Sequence, residues 1–102
     1  MKVFLDDLRD TPDGWVRVYT VEETITLLES GVVTELSLDN DLGEGLLEGY
    51  KVLDWLEEKV YFDKSFFLPD VKIHSANASR VEYMERAIAN IKKIREKQLT
   101  KS

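Results

Sequence analysis

Short apolar runs alternate along the chain with longer stretches of helical periodicity, a pattern typical of α/β domains. The apolar runs have the length of buried strands and lie at residues 3–5, 16–19, 36–38 and 71–74. The helical stripes follow the second, third and fourth runs, over about residues 21–30, from Tyr50 to Val60 and from Met84 to Ile94. We therefore predict one domain over residues 1–102, a small three-layer α/β fold with a four-stranded, mostly parallel sheet.

The first helix has clear end signals, whereas the connection before it has none. Thr20 precedes Glu23 by three residues, the spacing of a capping box, and Gly31 is a typical helix stop. Residues 6–14 have turn chemistry and no helical period, so the first crossover helix is predicted to be absent. Parallel pairing of the first two strands stays open, because parallel crossovers usually need about a dozen residues or more.

Composition excludes several classes of protein. The chain has 102 residues, 43% of them hydrophobic and 33% charged, and it has no cysteine. A disulfide scaffold, a thiolate zinc site and thiol catalysis are therefore excluded. Apolar runs stay far below the roughly 20 residues that span a bilayer, and the start is too short for a signal peptide. We expect a cytoplasmic protein without a membrane partner.

Charge narrows the range of partners further. The net charge is −6, although residues 80–102 carry seven basic and three acidic side chains. A net negative charge disfavours nonspecific binding to a nucleic-acid backbone, so no double-stranded DNA partner is expected. The basic C-terminal segment is interpreted as a helix whose cations complement its dipole, with a partner-binding patch as the alternative. A monomer or weak dimer is expected.

Chemically active side chains follow three of the predicted strands at the point where each strand ends. Asp6 and Asp7 follow the first strand, Asp39 follows the third, and His74 ends the fourth. Ligands of open α/β sheets bind outside the carboxyl ends of the strands, so these side chains should meet at one edge. Crowded carboxylates repel one another and favour a hard cation, so Asp6, Asp7 and Asp39 are predicted ligands of Mg²⁺ or Mn²⁺. The alternative for each is a solvated turn aspartate.

Four further side chains near this edge have two interpretations each. His74, the single histidine, is a proton carrier or a hydrogen-bonded edge residue. Ser75 is a hydrogen-bond donor to phosphate or a loop hydroxyl, and Asn77 binds substrate or caps the last helix. Arg9 offers a bidentate fork for phosphate or faces solvent.

The acidic residues resemble the pocket of response-regulator receiver domains, in which an acidic pair binds Mg²⁺ and an aspartate after the third strand accepts a phosphoryl group. The matching residues are Asp6, Asp7, Asp39 and the hydroxyl residue Ser75. A fifth strand with its lysine has no counterpart here, because the chain ends in a helix.

A longer set of motifs resembles the cyclic-phosphate processing receiver-like domains more closely. The motifs are Leu5-Asp6-Asp7-Leu8-Arg9, Pro12-x-Gly14-Trp15, Ser37-Leu38-Asp39-Asn40-Asp41-Leu42-Gly43, Gly49-Tyr50 and His74-Ser75-Ala76-Asn77. Asn40 departs from the pattern, in which a histidine is common. The resemblance implies a receiver-derived, flavodoxin-like fold adapted to a cyclic phosphate.

We therefore expect a metal-dependent phosphoesterase that acts on a cyclic phosphate of an RNA end or nucleotide. Asp39 and His74 are the expected catalytic residues, and Arg9, Ser75 and Asn77 the expected substrate contacts. The alternatives are a noncatalytic receiver phosphorylated on Asp39 and a module that binds a ligand without turnover.

Overall fold

A computed structural model describes residues 1–100, which form a four-stranded sheet and three helices. The strands are β1 (Lys2–Leu5), β2 (Trp15–Val18), β3 (Glu35–Leu38) and β4 (Asp70–Ile73). The helices are α1 (Val21–Glu29), α2 (Tyr50–Phe62) and α3 (Ala78–Thr100). The predicted α/β class, the four strands and the receiver-like arrangement are confirmed.

The sheet is parallel throughout, in the order β2-β1-β3-β4. Residues 6–14 thus return the chain to a parallel neighbour without a helix, which settles the pairing that the sequence left open. Leu5 is in register with Val18 and Leu38, and Leu38 is in register with Ile73. The four strands therefore end level, and the residues that follow them form one rim.

The three helices cover one face of the sheet. Their buried side chains join those of alternate strand residues in one core, which includes Val3, Leu5, Leu28, Leu56 and Met84. The strand order explains the position of α1 and α2, because the helical connections from β2 to β3 and from β3 to β4 cross the sheet in the same direction. Crossovers are right-handed, so connections in one direction place their helices on one face. The last helix, α3, is not a crossover and joins the same core through Met84 and Ile91. Within residues 1–100 the layers are therefore two, and the predicted third layer is wrong.

The second face of the sheet is covered by its own side chains. Phe4 lies on this face and is 7% exposed, yet it is not part of the helix-covered core. Its ring packs edge-to-face with Trp15 at 6.4 Å and stacks on His74 at 4.2 Å between centroids. Arg17 and Ser37 share the register of Phe4. The face beside the rim is therefore polar with one buried aromatic ring.

Local hydrogen bonds account for the start of α1. The Thr20 hydroxyl accepts a bond from the Glu23 N–H at 3.1 Å, and the Glu23 carboxylate accepts one from the Tyr19 N–H at 3.2 Å. The predicted cap is confirmed, and α1 begins at the next residue, Val21.

None of the helices in residues 1–100 has the length and apolarity needed to cross a membrane.

Candidate metal and phosphate site

The predicted acidic residues meet at the rim. Oxygen atoms of Asp6, Asp7 and Asp39 lie within 4.8 Å of one another. Asp6 and Asp7 follow β1 and Asp39 follows β3, and these neighbouring strands send the chain in opposite directions across the sheet. Such a switch point opens a crevice at the carboxyl ends of the strands, where α/β proteins bind ligands.

Asp6 is a buried carboxylate held by the backbone. Its side chain is 1% exposed, and its Oδ1 accepts hydrogen bonds from the N–H groups of Leu8 at 2.8 Å and Arg9 at 2.9 Å. Burial alone would raise the pKa of Asp6, but the N–H groups of Arg9 and Leu8, together with His74, outweigh it and lower the pKa. Asp6 is therefore a fixed anion at neutral pH.

Asp39 is in a different environment. Burial raises the pKa of its carboxyl, and the negative charge of Asp6 raises it further. The N–H of Asn40, 2.8 Å from Oδ1, and the Ser75 hydroxyl oppose the rise without cancelling it. The repulsion between Asp6 and Asp39 is the kind of strain that a bound cation relieves.

The donor set fits Mg²⁺ or Mn²⁺. Asp7 Oδ1 is buried and accepts no hydrogen bond from residues 1–100, so its lone pairs are left for a ligand. The three candidate ligands are all carboxylates, which suit hard cations. Asp6, Asp7 and Asp39 could therefore hold a divalent cation at the rim.

His74 is bound on both sides of its ring. Its Nε2 lies 2.9 Å from Asp6 Oδ2, and its Nδ1 lies 2.6 Å from the Ser37 hydroxyl. Burial lowers the pKa of His74, although the charges of Asp6 and Asp39 oppose this. The ring is then neutral at pH 7, with Nε2–H donating to Asp6 and Nδ1 accepting from Ser37. This is the arrangement of a hydrogen-bonded edge residue; the role of His74 in proton transfer stays a prediction.

The structure places the other predicted site residues around this cluster. Arg9 lies on the rim with its Nε 3.9 Å from Asp6 Oδ2, and half of its side chain is exposed. The Ser75 hydroxyl is beside Asp39 and accepts a bond from the Asn77 N–H at 3.2 Å. Asn77 caps α3, because its Oδ1 accepts bonds from the Ser79 hydroxyl and the Arg80 N–H. The substrate-binding roles of Arg9, Ser75 and Asn77 stay predictions.

Asn40 organises the loop behind Asp39, a role that sequence reasoning missed. Asn40 is fully buried, and its Oδ1 accepts a bond from the Tyr50 N–H at 3.1 Å. Its Nδ2 donates to Glu48 Oε1 at 2.9 Å, and its backbone carbonyl accepts the Gly49 N–H at 2.8 Å. Asn40 thus supplies the start of α2 with a side-chain acceptor and fixes that helix next to Asp39.

Ser37 and Gly49 were also not recognised as part of the site. The signal for Ser37 was its position, because a polar residue between Leu36 and Leu38 must face the side opposite to the core. Gly49 approaches the backbone so closely that a Cβ built on it would lie 1.9 Å from the Asp39 carbonyl oxygen. Only the assembled fold reveals that approach.

The parallel sheet and the acidic rim at its switch point define a receiver-type α/β domain. The family model for the cyclic-phosphate processing receiver domain matches residues 1–90, and the chain belongs to that family. Comparisons with curated proteins and with solved structures gave no match.

Proposed function

We propose that this protein is a metal-dependent phosphoesterase that opens a cyclic phosphate on a nucleotide or an RNA end. The observation that carries the proposal is the unpartnered Asp7 Oδ1 inside a cluster of three carboxylates at the ligand-binding edge. Membership in the cyclic-phosphate processing family supports the substrate class. Mg²⁺ or Mn²⁺ held by Asp6, Asp7 and Asp39 would neutralise phosphoryl oxygens and lower the pKa of a bound water.

The protein's own groups have complementary roles in this reaction. Backbone N–H groups and His74 orient Asp6, so a ligand atom is fixed before substrate arrives. Arg9, half exposed at the rim, presents a guanidinium fork to phosphate oxygens, and Ser75 adds a hydroxyl donor beside Asp39. Asp39 and His74 are the proposed catalytic residues. His74 is the proposed proton carrier, which would take a proton from the attacking water and return it to the leaving oxygen of the cyclic phosphate, since it is the one histidine of the chain and lies in the cluster.

The direct test is turnover. The protein is incubated with a panel of cyclic-phosphate nucleotides and oligonucleotides, with and without Mg²⁺, and ring opening is followed by chromatography. We expect Mg²⁺-dependent conversion of at least one cyclic phosphate to a monoester. A panel left intact in the presence of Mg²⁺ and Mn²⁺ contradicts the proposal.

Divalent metal is expected to stabilise the fold. At a hundredfold excess over its Kd, a ligand that binds only the native state contributes about 2.7 kcal/mol, which is roughly 10–20 °C in Tm for a domain of this size. Asp7→Asn should remove most of this rise, whereas Asp13→Asn should retain it, because Asp13 is an exposed loop residue outside the cluster. Thermal melts across a Mg²⁺ titration measure the effect. A wild-type Tm that does not respond to metal excludes the site.

A second candidate function is a signalling receiver phosphorylated on Asp39. It is favoured by the position of Asp39 after β3 with the Ser75 hydroxyl beside it. The phosphoesterase proposal predicts no lasting adduct when the protein is treated with a small phosphodonor and Mg²⁺. Intact-mass measurement checks this. A stable phosphoryl adduct that Asp39→Asn abolishes would instead establish the receiver function.

A further inference from the structure

The outer surface of α2 and α3 carries an exposed apolar centre. Tyr61 is 62% exposed and Phe62 is 76% exposed, and their rings meet edge-to-face at 5.0 Å. Two adjoining grooves, of about 410 and 420 Å³, share Tyr61 and Ile94 in their walls. We name the surface around Tyr61, Phe62 and Ile94 the α2–α3 groove. Exposed aromatic rings of this kind are enriched at protein interfaces.

Opposite charges flank the apolar centre. One groove is lined by Glu57 and Glu58, and the other by Lys64 and Lys97. Glu57 and Glu58 precede Tyr61 by about one turn of α2, whereas Lys64 follows the end of α2 and Lys97 follows Ile94 by about one turn of α3. Because the C-terminal ends of the two helices lie together, the acidic and basic ends lie on opposite sides of the centre. Within residues 1–100, the structure contains no ion pair from these four side chains. Their charges are therefore free to pair with another molecule.

We infer that the occupant of the α2–α3 groove is a second copy of this chain. A twofold axis through the apolar centre brings the same patch of each copy together in opposite directions. The acidic end of one copy then meets the basic end of its partner, twice per dimer, with the aromatic rings between them. A surface with one acidic end, one basic end and an apolar centre is complementary to itself, and this property selects a second copy over an unrelated protein.

The groove is preformed, because side-chain hydrogen bonds hold the C-terminal end of α3 against the end of α2. Gln98 donates to the Val60 carbonyl at 2.8 Å, and Arg95 donates to the Lys64 carbonyl at 2.7 Å. Ile94 and Lys97 belong to this hydrogen-bonded end of α3, which lies beyond the family-matched residues 1–90. A rigid surface loses little conformational entropy on association. Pairing through the groove therefore needs no rearrangement of α2 or α3.

The dimer leaves the acidic rim open. In a parallel β-α-β unit the helix runs back against its strands, so the C-terminal ends of α2 and α3 lie at the sheet edge opposite to the carboxyl ends of the strands. The α2–α3 groove is near those helix ends, and the Asp6–Asp7–Asp39 cluster is at the other edge. Association through the groove and chemistry at the rim are then independent.

Sedimentation equilibrium from micromolar to millimolar concentration tests the inference. We expect a reversible equilibrium between the 11.8 kDa chain and a species of twice that mass. Glu57→Lys and Lys97→Glu should each raise the dimer Kd about tenfold, since symmetry repeats every exposed charge contact. The double variant should return the Kd close to its original value. Glu22→Lys, an exposed change in α1, is the matched control and should leave the Kd unchanged.

Several results would overturn the inference. A single 11.8 kDa species at every concentration means that the groove does not bind a second copy. A dimer that neither single charge reversal weakens uses another surface. A double variant as weak as the single variants means that Glu57 and Lys97 do not face each other across the interface. Circular dichroism of each variant verifies that the helices are intact.

Discussion

Replacement of His74 by alanine is expected to lower the rate of cyclic-phosphate opening by about 10²- to 10⁴-fold, the usual contribution of general acid–base catalysis. The variant also loses two hydrogen bonds of the ring, to Asp6 Oδ2 and to the Ser37 hydroxyl. Phe4, on which the ring stacks, becomes exposed. The free energy of unfolding should therefore fall by about 1–3 kcal/mol, at about 0.5–1.5 kcal/mol for each hydrogen bond.

His74→Gln separates proton transfer from positioning. A glutamine amide can donate a hydrogen bond to Asp6 but cannot carry a proton near neutral pH. If His74 transfers a proton, the glutamine variant should be as slow as the alanine variant while regaining part of its stability. Full activity in His74→Gln would show that the imidazole only holds Asp6. Lys72→Ala, an exposed change in the strand that precedes His74, should retain both rate and stability.

The pH dependence of stability gives a readout that does not depend on turnover. Burial lowers the pKa of His74 below its ordinary value of 6.5, so the unfolded chain binds this proton more readily than the native protein does. The contribution of neutral His74 to the free energy of unfolding is therefore fully present above about pH 6.5, and it is lost as the pH falls through the native pKa. His74→Gln should remove this component. It should retain part of the loss at lower pH that comes from the lowered pKa of Asp6, because the backbone N–H groups of Arg9 and Leu8 still lower that pKa. Urea melts between pH 3 and 8 measure both losses.

The sequence was sufficient to predict the elements and the rim, because both depend on local patterns. A period of 3.6 residues located α1 and α2, and apolar runs that stop at Asp6 and Asp39 located the ends of β1 and β3. Parallel strands place their ends at one edge, so the acidic cluster followed from strand positions alone. No long-range contact had to be known for these steps.

The number of layers and the inner supports of the site depend on tertiary structure. The third layer was predicted wrongly because the face that a helix covers is set by the direction of its crossover, which requires the strand order. Asn40 and Gly49 are nine residues apart, and nothing local indicates that one receives the hydrogen bond of the other. Ser37 has a role only because β4 places His74 beside it.

Gly49→Ala is expected to be among the most destabilising single substitutions in the domain. A Cβ at this position would lie 1.9 Å from the carbonyl oxygen of Asp39, 2.9 Å from its carbonyl carbon and 3.1 Å from Asn40 Cα. These are backbone atoms of the rim, so no side chain can turn away to make room. Overpacking of this kind costs about 1–3 kcal/mol or more, and the backbone contacts place this variant at the upper end.

The expected loss of about 3 kcal/mol corresponds to roughly 12–24 °C in Tm. It cannot come from backbone strain at residue 49, since Gly49 has φ −56°, a helical value that alanine adopts freely. Gly45→Ala is the matched control from the same loop: φ is +78° and the new Cβ would meet nothing within 4 Å, so only the left-handed strain of about 1–2 kcal/mol applies. Because α2 can make room only by moving Asp39, Gly49→Ala should also weaken the metal-induced rise in Tm, while Gly45→Ala should keep it. Equal melting temperatures for the two variants would mean that position 49 has room for a Cβ. The start of α2 would then not lie as close to the Asp39 backbone as the structure places it.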